Sequence, residues 1–102
     1  WADTVCEVDR LLGFIESSQC TFVRNGDRYD AAKARAHIQR KYGHIKGRIQ
    51  TAEQFIKYAA TESSITHTPY KVICSGREEP SAGWLKRELA RIRAESVCEG
   101  NR

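Results

Sequence analysis

Cys20-Thr21-Phe22-Val23-Arg24-Asn25-Gly26-Asp27-Arg28-Tyr29 decides the fold class. Thr, Phe and Val suit an extended, half-buried chain, and Tyr29 resumes that character beyond the polar tip. Asn-Gly is the favoured pair for a two-residue type I′ turn, because both residues tolerate positive φ. The stretch therefore predicts a short antiparallel hairpin, and the helices on either side must be arranged around it.

Downstream, Asp30 is placed to cap a helix with apolar residues at Ala31, Ala34, Ile38, Tyr42, Ile45 and Ile49, stepping by three and four. Gly43 and Gly47 weaken that helix, by up to about 1 kcal/mol each relative to alanine, and signal close packing or a break into two pieces. Thr51-Ala52-Glu53-Gln54 matches a capping box opening a third helix with Phe55, Ile56 and Ala59. Thr61 to Ser64 and Thr66 to Pro69 read as a polar loop. Tyr70 to Cys74 reads as a strand joining the hairpin, Ser75 to Pro80 as a turn, and Ser81 as the cap of a last helix bearing Ala82, Trp84, Leu85, Leu89 and Ile92. Upstream, Asp3 is placed to cap a first helix with Val5, Val8, Leu12 and Ile15 on its apolar stripe, and Leu11 and Phe14 beside it. The pattern shows no internal repeat. The expectation is an α+β fold: about four helices with a small antiparallel sheet, made of the hairpin and one further strand.

The chain has 102 residues, 40% hydrophobic and 29% charged, which is ordinary for one folded domain. That domain is expected to span 1–102, with residues 1–3 and 99–102 frayed. No apolar run approaches the roughly 20 residues that cross a bilayer. There is no methionine, so Trp1 reads as the front of a processed or trimmed chain, with an export signal already removed.

Cys6, Cys20, Cys74 and Cys98 include no Cys-x-x-Cys pair, so their spacing favours disulfides over a zinc site. Three connectivities are possible. Cys20 precedes the first strand and Cys74 ends the last, whereas Cys6 and Cys98 lie in or beside the terminal helices. That placement favours nested pairing, Cys20 with Cys74 and Cys6 with Cys98. Such bridges persist in oxidising compartments, which points to the periplasm or the cell exterior.

The motifs Cys20-Thr21-Phe22-Val23-Arg24-Asn25-Gly26, Thr51-Ala52-Glu53-Gln54-Phe55-Ile56, Pro69-Tyr70-x-Val72-x-Cys74 and Trp84-Leu85-x-x-Glu88-Leu89, with Lys41-Tyr42 and Ser63-Ser64, resemble a family of small exported bacterial proteins. That family is common in proteobacteria and known only as a domain of unknown function. The resemblance covers roughly residues 8 to 93. It implies a periplasmic location and a Cys20–Cys74 bridge, and it implies no catalytic residue.

Charge supplies the functional lead. Residues 31–50 hold six cations (Lys33, Arg35, Arg40, Lys41, Lys46 and Arg48) and no acid, so the net charge of +4 belongs to this segment. Lys33, His37, Arg40, His44 and Arg48 form a stripe about three turns long that would attract anionic groups. The plainer reading is a solvated helix face, partly paired with the acidic first helix. Arg24 and Asn25 at the hairpin tip are a second candidate contact, because turn chemistry explains Asn25 and Gly26 but not Arg24. Tyr29 and Tyr42 are candidate interface aromatics. His37 and His44 lie two turns apart, too far to share a metal, so no metal or cofactor is expected.

No nucleophile elbow, His-Glu-x-x-His run, phosphate-binding glycine loop or nucleic-acid motif occurs. The expected function is non-catalytic binding of another protein in the periplasm, for example inhibition of, or immunity to, an envelope-degrading enzyme. The alternatives are binding of anionic envelope material (lipid headgroups or cell-wall polymer) through segment 31–50, and a small hydrolase.

Overall fold

A computed structural model describes residues 2–62 and 66–98. The chain runs α1 (Ala2–Ser17), β1 (Thr21–Arg24), β2 (Asp27–Tyr29), α2 (Ala31–Ile45), a 3-10 turn (Lys46–Arg48), α3 (Ala52–Ala59), β3 (Lys71–Cys74), β4 (Arg77–Pro80) and α4 (Ser81–Ala94). Four helices and one antiparallel sheet make the fold α+β. The sheet has four strands in the order β2-β1-β3-β4, one more than the sequence patterning suggests.

The additional strand is β4, where a turn is expected. Ser75 (φ 53) and Gly76 (φ 78) form a two-residue turn like that of Asn25 (φ 54) and Gly26 (φ 83). Both pairs place two consecutive residues at positive φ, as a tight hairpin requires. Arg77, Glu78 and Glu79 carry no apolar pattern because β4 is an edge strand facing solvent.

The fold contains a repeat that the sequence hides. Each half is a hairpin followed directly by a helix, and residue i of the first falls on i + 50 of the second: β1 on β3, β2 on β4, α2 on α4. The central strands pair with Thr21 opposite Ile73, Phe22 opposite Val72 and Val23 opposite Lys71, a register symmetric about Phe22 and Val72. A local two-fold axis therefore passes through that pair. Across residues 21–44, the equivalent positions are identical only at Gly26/Gly76 and Ala32/Ala82, so no periodicity survives in composition.

Phe22 and Val72 project into a core shared with all four helices, in which Leu11, Ile15, Phe55, Ile56 and Leu85 are fully buried. Each such side chain stabilises the fold by roughly 1.5–3 kcal/mol relative to exposure. The buried stripe of α1 is Val8, Leu11, Leu12 and Ile15, while Val5 is 58% exposed; the stripe is rotated from the expected one, with Leu11 at its centre. Helix α1 begins by Ala2, so Asp3 sits in its first turn rather than capping it. Trp1 and residues 99–102, expected to fray, lie outside the described residues, as do Ser63 and Ser64.

The cap of α2 is Asp30, whose side chain accepts from the Lys33 amide, and that of α3 is the Thr51–Gln54 capping box. Helix α2 stops at Ile45 and tightens into the 3-10 turn, so Ile49 belongs to the connection. A Cβ at Gly43 or Gly47 would meet nothing within 4 Å, so neither marks close packing. Ser81 is the first residue of α4, after Pro80 at the cap position, and it caps nothing. Its hydroxyl is buried and donates to the Ala60 carbonyl (2.6 Å), which ties α4 to the end of α3.

Two bridges close the structure, Cys20–Cys74 (Cα–Cα 4.8 Å) and Cys6–Cys98 (5.8 Å). Arg93 adds a polar tie by donating to both Glu7 and Glu53, joining α4 to α1 and α3.

Candidate functional site

The two-fold makes the ends of the central strand pair equivalent positions, and chemistry separates them. At one end Cys20 is bonded to Cys74. Their equivalents at the other end are Tyr70 and Arg24. Arg24 does not reach out from the hairpin tip. Its side chain lines a cleft beside the first hairpin and α2, together with Phe22, Val23, Tyr29, Ala34, His37, Ile38, Tyr70 and Ser81. Mouth included, the cleft spans about 330 Å3, of which about 30 Å3 is open to the centre of a water-sized sphere. On that measure one water needs roughly 10–15 Å3, so the free space is that of two or three waters.

Within the cleft the Arg24 Nη2 donates to the Tyr29 hydroxyl (3.3 Å), and its Cζ lies 5.3 Å from the Tyr29 ring centroid. Tyr29 in turn stands edge-on to His37, with centroids 5.0 Å apart. Burial acts against the guanidinium charge, but the hydroxyls of Tyr29 and then Tyr70 outweigh it and raise the Arg24 pKa above its ordinary value. The Arg24 Nε is buried without a hydrogen-bond partner. An orphaned buried donor of this kind costs about 1–3 kcal/mol, so its retention calls for an explanation.

Lys41 completes the cluster. Its Nζ donates to the Tyr70 hydroxyl (3.2 Å) and the Glu62 carbonyl (3.0 Å), and lies 5.1 Å from the Tyr70 ring centroid. His37 has a lowered pKa, first because it is partly buried, then because Arg24, Arg40 and Lys33 surround it with positive charge. The structure thus gathers Arg24, Arg40 and Lys33 around one histidine, with Lys41 on the neighbouring Tyr70. None of the four forms a salt bridge among the described residues.

Other candidates fall elsewhere. Asn25 stays at the exposed tip, where its Oδ1 accepts from the Thr66 hydroxyl (2.6 Å). Arg48 lies beyond the end of α2 and donates to the His44 carbonyl (3.2 Å), so the cationic stripe does not run on as one helix face. In the basic segment, Arg35 reaches the acidic first helix, bonding Glu16. Tyr42 packs edge-on against Phe55 (5.4 Å) as a core-margin residue. Tyr70, a functional candidate only in the structure, has no sequence signal for a hydroxyl shared by Arg24 and Lys41. Among the described residues no group of three His, Cys, Asp or Glu is arranged to hold a metal. No helix is long and apolar enough to cross a membrane.

A profile for DUF5329, a family of unknown function, matches residues 2–93. The uncharacterized protein YfeK of Salmonella typhimurium is 45% identical over 60 residues, covering 59% of this chain and 50% of that protein. The chain thus spans about half the length of this curated relative. No solved structure matches.

Proposed function

We propose that this chain, which belongs to the DUF5329 family of unknown function, is a non-catalytic binding domain that recognises another protein outside the cytosol. The observation that carries this reading is the contrast in charge pairing between the halves. Arg24, which lines the cleft, and Lys33, Arg40 and Lys41 on the adjoining α2 form no salt bridge among the described residues, while Arg87, Arg91 and Arg93 of α4 each bond a glutamate. Uncompensated like charges around a partly buried histidine disfavour the free protein and favour a complex with an acidic surface. The two disulfides support an oxidising location, the bacterial periplasm or the cell exterior. A bridged frame also keeps the surface rigid, which lowers the ordering cost of association. An inhibitor of an envelope-degrading enzyme, or an immunity protein against one, is the concrete form this reading takes.

Exposed Lys33 and Arg40 on one face of α2 favour a second reading, adhesion to anionic lipid or cell-wall polymer. The two are separated by capture from periplasmic extract beside sedimentation with anionic vesicles and with cell wall. Protein recognition predicts a specific acidic partner, lost on Arg24→Glu and kept on Lys86→Glu at the exposed face of α4. Absence of any partner across several extracts, with sedimentation that disappears in Arg40→Glu/Lys41→Glu and in high salt, would replace it by the envelope reading. Turnover of cell-wall or lipid substrates by the pure protein would make it an enzyme.

A further inference from the structure

We infer that the Arg24 cleft is a carboxylate-binding site, and that it takes an acid group carried beside an apolar side chain, as at the C-terminus of a polypeptide. The inference rests on the binding reading above and names the chemistry of its contact.

The argument comes from the twin cleft. There the residues equivalent to Tyr29, Ala34 and His37 are Glu79, Trp84 and Arg87. Glu79 presents both carboxylate oxygens to the Arg87 Nη2 (2.6 and 2.7 Å). Trp84 builds up the floor, packed against Phe14 and Phe22 with centroids 4.5 and 5.5 Å away. The second half therefore contains, within its own chain, a carboxylate on a cation and a bulky apolar group beside it. A broad depression of about 540 Å3 lies outside that arrangement, and Glu79 and Arg87 on its border already satisfy each other.

The first half has the Arg24 guanidinium with no carboxylate paired to it, and Ala34 in place of the tryptophan. Its cleft is nevertheless narrow, because Arg24 and Tyr29 are larger than the Cys74 and Glu79 that hold their places in the twin. A flat carboxylate suits that width. It accepts from two guanidinium N–H groups at once, the charge-assisted pairing that arginine geometry suits. The Tyr29 and Tyr70 hydroxyls, each accepting from a cation, keep their own protons to donate to its oxygens. Phe22, Ala34 and Ile38 offer apolar contact to whatever carries the acid. A phosphate dianion is bulkier and more strongly hydrated, and those walls would strip its water without replacing it.

The test titrates the intact, disulfide-bonded protein with N-acetylleucine, following the Arg24 Nε–H and His37 ring signals by NMR. N-acetylleucinamide, acetate and inorganic phosphate serve as comparisons. The expected result is a saturable shift of both signals with N-acetylleucine, and affinity about tenfold above acetate and above phosphate, as one to two extra methyl contacts allow. The amide should give no response. Arg24→Gln should lower affinity by about tenfold or more, the size of a charged hydrogen bond. Ala34→Trp should block binding by filling the cleft, and Arg24→Gln decides alone if that variant does not fold. Equal response to acid and amide, equal affinity for phosphate, or binding undiminished by Arg24→Gln would overturn the site. Loss of a protein partner on Arg24→Glu, with no response to N-acetylleucine, would overturn the carboxylate site and leave protein recognition standing. Acid binding without any protein partner would do the reverse.

Discussion

Cys20 and Cys74 at one end of the central strand pair, and Tyr70 and Arg24 at the other, occupy equivalent places about the axis through Phe22 and Val72. The first end is closed by a covalent bond, and Trp84 and the Glu79–Arg87 pair border the depression beside it. The second holds a guanidinium with a buried, unpartnered nitrogen, a histidine among cations, and an alanine where its twin has an indole. One backbone plan thus carries paired, cross-linked side chains in one half and an unpaired guanidinium in the other. Because the geometry is shared, the difference lies in the side chains alone.

The sharpest way to break the contrast is to open the closed end. Replacing Cys20 and Cys74 by serine removes a cross-link between residues 54 apart in sequence. The chain-entropy estimate for such a loop is about 4 kcal/mol, a large part of the ~5–15 kcal/mol typical of a domain. Urea denaturation should show the loss, and a midpoint within error of the parent would mean that the bridge adds nothing to the sheet. Trp84→Ala comes next, at about 3 kcal/mol, because it removes a buried ring packed against Phe14 and Phe22.

At the open end the sign should change. Arg24→Met removes the orphaned Nε along with its bonds to tyrosine, so stability should hold or rise by up to about 1 kcal/mol. A loss of 2 kcal/mol or more would show Arg24 to be a structural residue (about the scale of a broken buried network). The smallest effect is a pH dependence. In the folded chain the His37 pKa lies below its ordinary 6.5, through burial first and then Arg24, Arg40 and Lys33, with the Tyr29 ring edge-on to it. The unfolded chain therefore takes up the proton more readily. This contribution to stability is complete above the unfolded pKa and declines as pH falls through the folded one. His37→Gln should flatten that part of the stability profile, and unchanged curvature would count against the crowded-histidine picture.

Much of this was legible in the sequence and some was not, for identifiable reasons. Asn25-Gly26 between Thr, Phe, Val and Tyr announces its hairpin, because both strands show apolar character. Ser75-Gly76 makes the same turn, yet Arg77-Glu78-Glu79 looks like loop, since an edge strand facing water needs no apolar face. Asp30 and Thr51 cap helices as their side chains suggest. Ser81 resembles a cap and serves as a buried tie to Ala60, a role set by tertiary contact. The stripe on α1 is misphased by one position because Val5 is apolar but faces outward. Arg24 stood out in the sequence, as did Lys33, Arg40 and Lys41. The cleft itself did not, since it depends on Ala34 being small where Trp84 is large, and that comparison exists only once the halves are superposed.

The nested bridges carry one more implication, for proteolysis. A single peptide-bond cut anywhere between residues 21 and 73, for example at the exposed Thr66 to Pro69 stretch, falls inside both covalent rings. The nicked molecule would gain the mass of one water, keep its fragments joined, and migrate as an intact chain until a thiol is added. Proteases in the surroundings could then score the surface without dismantling the protein.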